Sequence, residues 1–127
     1  MKKYLFRKEE RLCSLKLIEQ LYEQGSSFSF YPFRLIFLPS PTDIPYPSQI
    51  VISVPKRKFK KAVDRNRIKR LIRESYRHLK EDLLYPALTE KQKSLLLMII
   101  YTGNEINRQK EIEKKLTLAL ERLLVKC

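Results

Sequence analysis

A chain of 127 residues, 43% hydrophobic and 32% charged, can bury one core but not two, and it is too apolar for a disordered chain. Its 27 Lys and Arg against 14 Asp and Glu give a net charge of +13 and a pI near 9.9, which points to a polyanionic partner. Cys13, Cys127 and the single histidine, His78, lack ligand spacing, which argues against a metal site, and no apolar run approaches the ~18 residues of a membrane span. The start of the chain is charged but has no apolar signal region. One domain over residues 1–127 is expected, in the cytoplasm with reduced thiols, with neither a membrane nor an obligate protein partner.

Residues 14–24 are predicted to form a first helix with Leu15, Ile18, Leu21 and Tyr22 on its inner face, Ser14 as N-cap and Gly25 in a left-handed closing position. Over residues 27–38, Phe33, Leu35 and Phe37 alternate with Arg34, Ile36 and Leu38 at strand period, with a break at Pro32. Four prolines between Pro39 and Pro47 mark an exposed connection to a strand at 49–54. Residues 82–93 carry Pro86 and no clear period, whereas 94–101 is a continuous apolar run suited to a central strand. The last helix, 108–125, is expected to take its cap from Asn104 or Asn107 and to bury Ile112, Leu116, Ala119, Leu120 and Leu123.

The charge is concentrated between Lys56 and Lys80, where twelve basic residues meet only Asp64 and Glu74; this stretch carries ten of the thirteen net charges. From Arg65 onward Ile68, Leu71, Ile72, Ser75, Tyr76 and Leu79 fall on one helical face. Asn66, Lys69, Arg70, Arg73, Arg77 and Lys80 gather on the other, with Asp64 placed to cap the helix start. Like charges one turn apart repel, so stability alone does not favour such a ridge. RNA phosphates would neutralise it, arginine forks can bind them bidentately, and the Asn66 amide can meet a ribose hydroxyl or base edge. A membrane-surface role or a plain solvated face is the blander alternative.

Ile52-Ser53-Val54, a basic loop, and then the run from Lys61 to Arg77 centred on Arg65-Asn66-Arg67 resemble the signature of the bacterial ribonuclease P protein subunit. The resemblance spans about residues 7–124. It implies an α+β fold in the order helix-strand-strand-strand-helix-strand-helix, with a mixed sheet and a left-handed βαβ crossover of the type in domain 2 of ribosomal protein S5; sequence statistics alone favour a right-handed crossover. It further implies that catalysis, removing the 5′ leader of precursor tRNA, belongs to an RNA subunit using Mg²⁺ held mainly by that RNA and the substrate. The protein's partners would be ribonuclease P RNA and precursor tRNA.

By position the resemblance carries RNA-subunit binding onto Arg65, Asn66, Arg67, Lys69, Arg70 and Arg73, and the basic segment adds Lys56, Arg57, Lys60, Lys61 and Arg77 as candidates for the same contact. A leader cleft would involve Ile18, Tyr22 and Ile36, of which only Tyr22 keeps an aromatic ring, with Phe33 or Phe37 as further stacking candidates. The spacing of Tyr22 suits either the cleft or the core, and the same is true of Phe33 and Phe37. Phe59 departs from the family's shorter, glycine-containing basic turn, and Tyr101-Thr102-Gly103 replaces a common Ala-Arg pair. No grouping of carboxylates or histidines suits an independent protein nuclease, so no catalytic residue is expected. The rivals are a helix-turn-helix DNA binder, disfavoured by the strand pattern, and a structural RNA binder of ribosomal type.

Overall fold

A computed structural model describes residues 6–41 and 43–127. A 3₁₀ turn at Lys8–Glu10 leads into α1 (Leu15–Gln24), the hairpin β1 (Ser26–Phe30) and β2 (Phe33–Pro39), and then β3 (Ser48–Ser53). The chain continues through α2 (Ala62–Leu79), α3 (Tyr85–Glu90), β4 (Leu95–Tyr101) and α4 (Gln109–Lys126). The sheet order is β1-β2-β4-β3, with β3 and β4 parallel and the other pairs antiparallel, so α2 and α3 form the connection between parallel neighbours. The α+β class and the order of elements that the resemblance implies are therefore present, with one further helix, α3, between α2 and β4.

Strand alternation divides the molecule into layers. Phe33, Leu35 and Phe37 of β2 lie beside Ile50, Leu97, Ile99 and Tyr101 in the larger core, under Ile68, Ile72 and Tyr76 of α2 and Ile112, Leu116, Ala119, Leu120 and Leu123 of α4. On the opposite face Ile36, Leu96 and Met98 meet Leu12 and Leu21, with Leu17 and Ile18 packed against them. β4 is covered on both faces, which is why its seven residues are almost uniformly apolar.

Several local expectations are corrected. Ser14 caps α1, its Oγ accepting from Leu17 N at 3.3 Å, but Gly25 has φ −72° and ψ 153° rather than a left-handed conformation. Glycine is required there by proximity: a Cβ would lie 2.4 Å from the Leu21 carbonyl oxygen and 2.8 Å from Ile36 Cγ2. Leu15 is 77% exposed, so α1 buries a narrower stripe than its spacing predicts. α2 begins at Ala62, three residues before the expected start, with Lys61 as N-cap; Asp64 sits in the first turn, where it complements the helix dipole. Neither Asn104 nor Asn107 caps α4, whose N-cap is Arg108.

The largest departure follows α2. Lys80–Leu84 forms a π-helical turn, in which Tyr85 N–H donates to the Lys80 carbonyl, and α3 continues from it through part of the stretch that shows no clear period in the sequence. Pro86 has no N–H to return to the Asp82 carbonyl, and the widened turn immediately precedes it. Lys80 itself keeps the spacing of α2, its N–H donating to the Tyr76 carbonyl, and one turn beyond that buried tyrosine it leaves the expected basic ridge for the interior, where it is 1% exposed against Glu10.

Candidate nucleic-acid interface

The inner face of α2 is fixed by Ile68, Ile72, Ser75 and Tyr76, all fully buried, with Leu71 and Leu79 partly buried beside them. Gln109 of α4 fastens the two helices by donating to the Leu71 carbonyl at 3.0 Å and to Ser75 Oγ. That anchorage leaves Asn66, Arg67, Arg70 and Arg73 exposed and Lys69 half-buried. Lys56, Arg57, Lys60 and Lys61 extend the cationic surface along the turn before the helix, and all four are exposed.

Two predicted contact residues have structural partners. Arg65 Nη1 donates to the Phe59 and Lys60 carbonyls at 2.8 and 2.9 Å, clamping the basic turn onto the helix start. Arg77 pairs with Glu74 one turn earlier. The hydrogen bond from Arg77, with the positive charge of Arg77, holds the Glu74 carboxyl below its ordinary range, and Glu74 in turn raises the Arg77 guanidinium. Glu74 therefore stays ionised and offsets Arg77, so the uncompensated part of the ridge runs from Asn66 to Arg73.

The extra residue in the basic turn has a clear packing role. Phe59 is buried with its ring 6.0 Å from that of Tyr101, and Lys58 Nζ donates to the Thr102 carbonyl at 2.6 Å. The turn is thus plugged into the core and tied to the end of β4, which presents its lysines on a fixed support.

The α1 side gives a different outcome. Tyr22 is 63% exposed, so it does not close the core face with Leu21. Ile18 is half-buried, and Ile36 lies buried beneath the helix. Phe33 and Phe37 point to the opposite layer and are buried under α2 and α4, where no base can reach their faces. Even-numbered positions of β2 face α1, so the sequence reading missed Arg34, half-buried on this side and donating to Ser27 Oγ at 3.4 Å. The period-2 alternation carried that signal.

The ribonuclease P family model matches residues 6–124, nearly the whole chain. The chain belongs to the ribonuclease P protein family. A ribonuclease P protein component of Porphyromonas gingivalis strain W83 is 35% identical over 117 residues, covering 91% of this chain and 84% of that one. The solved ribonuclease P protein of Thermotoga maritima matches with a TM-score of 0.70 at 24% identity, covering 89% of this chain and 96% of its own. That of Staphylococcus aureus matches with a TM-score of 0.69 at 21% identity, covering 90% and 94%. These two likenesses establish the fold; family membership rests on the sequence.

A ribonuclease P protein is a component of an endoribonuclease and has an RNA partner in the holoenzyme, so the structural RNA binder of ribosomal type is set aside. Among the described residues no helix is long and apolar enough to cross a membrane.

Proposed function

We propose that this ribonuclease P protein docks the exposed face of α2 and the basic turn before it onto the RNA subunit, and that the RNA subunit performs the cleavage that removes the 5′ leader of precursor tRNA. One observation carries the reading: Arg67, Arg70 and Arg73 stand exposed on a helix anchored along its other face, and the one acid between Arg67 and Arg77 is engaged by Arg77. A preorganised row of guanidinium groups binds phosphates without ordering long side chains from a mobile segment. Asn66, exposed at the head of the row, adds a group able both to donate and to accept.

The donor set does not fit a Mg²⁺ ion held by the protein: among the described residues no three His, Cys, Asp or Glu side chains come together, and Asp64 and Glu74 are ten positions apart on α2. The metal requirement of the reaction is therefore assigned to the RNA subunit and substrate. The leader is assigned to the α1 side of the sheet, with Tyr22 as the stacking ring and Arg34 as a cation on the same layer.

Purified protein freed of RNA should not cleave precursor tRNA, and site-specific cleavage should appear on adding ribonuclease P RNA and Mg²⁺. Specific cleavage by the RNA-free protein, undiminished by nuclease pretreatment, would overturn the assignment of catalysis to RNA.

A further inference from the structure

A cavity of about 240 Å³ opens where the strap ahead of α1, the outer edge of β3 and one flank of α2 meet. Leu12, Ile50, Val51, Ile52 and Phe6 supply its apolar lining. Its rim is cationic. Arg11, Lys69 and Arg73 line it, no Asp or Glu is among the lining residues, and none of the three enters an ion pair among the described residues. Arg11 is set in place by the Phe6 ring, 5.4 Å from its guanidinium carbon. The strap itself is fixed, because Glu10 is buried against Lys80 and Leu12 N–H donates to the Ile50 carbonyl at 2.7 Å.

A cavity that joins apolar side chains to three cations free of ion pairs among the described residues does not suit a purely apolar ligand. A flat group of low polarity carrying a phosphate satisfies both halves. The volume lies below the roughly 300–1,000 Å³ of sites for drug-sized molecules, so it admits a single residue of a polymer. Strand alternation leaves a backbone contact for the base: the Ile50 carbonyl on the outer edge of β3 is taken by Leu12 N–H, and two residues on Ile52 turns its own backbone groups to that same edge.

We propose that this cavity takes one unpaired nucleotide of the RNA in the holoenzyme, with its base against the apolar lining and its phosphate held by Arg11, Lys69 and Arg73. A paired nucleotide cannot enter, because its base is stacked within a helix. The inference rests on the RNA-docking role of α2 and adds a built pocket, with Arg11 as a new contact residue, distinct from the α1 face that carries Tyr22.

Cys13 lines the cavity and is exposed, whereas Cys127 ends α4 with its Sγ donating to the Leu123 carbonyl. Alkylation of both thiols by N-ethylmaleimide, followed by mass spectrometry, therefore contains its own reference. Cys13 should be protected several-fold on assembly while Cys127 keeps its rate. Protection by ribonuclease P RNA alone places the nucleotide in that RNA; protection only on adding precursor tRNA, and not mature tRNA, places it in the leader. Ile52→Phe, which fills the hole and keeps every cation, should weaken RNA binding. Arg11→Gln, at an exposed position, should lower the slope of log K against log salt by about 1.

Equal Cys13 rates in free and assembled protein, with Arg70→Ala still weakening binding, would overturn the cavity and leave the docking role of α2 intact. Protection combined with unchanged binding by a folded Ile52→Phe and by Arg11→Gln would mean that RNA passes over the mouth, and would also overturn it. Should Ile52→Phe fail to fold, Arg11→Gln decides alone. Failure of the protein to bind ribonuclease P RNA at all would remove both readings.

Discussion

Lys80 Nζ lies 2.8 Å from Glu10 Oε2, and each side chain is only 1% exposed. The ammonium also donates to Glu81 Oε1 at 2.9 Å and sits 5.1 Å from the centre of the Tyr85 ring, whose hydroxyl donates to the same Glu10 oxygen at 2.6 Å. Glu10 further accepts from Arg7 N–H through its other oxygen. One buried carboxylate thus joins the N-terminal strap to the π turn after α2.

Removing one partner of such a pair leaves a buried charge uncompensated, so Lys80→Met is expected to cost about 3–5 kcal/mol. Urea unfolding of Lys80→Met, Glu10→Leu and the double variant checks this, and the double variant should lose less than the two single losses combined. Strict additivity would show that the groups are not energetically coupled.

The same residue shows where sequence reading stops. A uniform 100° step places Lys80 near Arg73 and Arg77 but also one turn from Tyr76, and it is buried because Glu10, from the strap ahead of α1, and the Tyr85 ring cover that end of the helix, contacts that the local sequence does not contain. The basic ridge itself was legible, since its period holds from Ile68 to Tyr76 and its charge excess is a matter of counting. Which aromatic rings are available was only half legible. Alternation in β2 separates Phe33 and Phe37 from Ile36, but which face α1 covers depends on contacts between elements distant in sequence. Gly25 is legible as the end of α1, but what requires glycine there is close approach to the Leu21 carbonyl and to Ile36 and Phe37, and the last two are tertiary contacts that local turn chemistry does not contain.

Burial pushes the Tyr76 phenol far above its ordinary value of 10.0, and burial, the charge of Tyr76 and the hydrogen bond to Glu10 do the same for Tyr85. Ser48 and Tyr85 lie close enough to influence the Tyr76 charge state, yet the Tyr76 hydroxyl makes no bond of proper hydrogen-bond geometry. Both phenols hold their protons more tightly when folded, so their stabilisation is complete below the unfolded value near 10 and declines as pH rises above it. Tyr76→Phe should reduce that alkaline slope by up to about 1.4 kcal/mol per pH unit. At neutral pH the same change should be neutral or slightly stabilising, because no hydrogen bond is lost. Urea midpoints between pH 8 and roughly 11 test both statements, and an unchanged slope would mean that the phenol is solvated.

The ridge separates into exposed and offset cations, and salt dependence should report the difference. Arg70→Ala and Arg73→Ala should each lower the slope of log K against log salt for the RNA subunit by about 1, the expected share of one phosphate. Arg77→Ala should lower it less, because Glu74 already neutralises that guanidinium. Glu121→Ala, on the exposed face of α4, should leave the slope unchanged and serves as control. Equal effects at Arg73 and Arg77 would show that the Glu74 pair opens in the complex.

Tyr22 offers the sharpest test of the leader-binding role. With 63% of its surface exposed, it contributes little to the core, so Tyr22→Leu should change stability by no more than about 0.5 kcal/mol. A ring free on the α1 side can stack on an unpaired base whatever its identity, worth about 1–3 kcal/mol. The holoenzyme carrying Tyr22→Leu should therefore bind precursor tRNA with a leader more weakly by that amount, while its affinity for mature tRNA stays the same. Fluorescence titration of both RNAs against both holoenzymes gives the comparison. Arg34→Gln should produce a smaller loss in the same direction, since the cation faces the same layer but is half-buried beside Ser27. With Phe33 and Phe37 buried, no other leader-binding aromatic expected from the sequence remains to substitute for Tyr22. Unchanged discrimination between the two RNAs in Tyr22→Leu would therefore remove stacking at this face altogether, and leader recognition would have to rest on the cations alone.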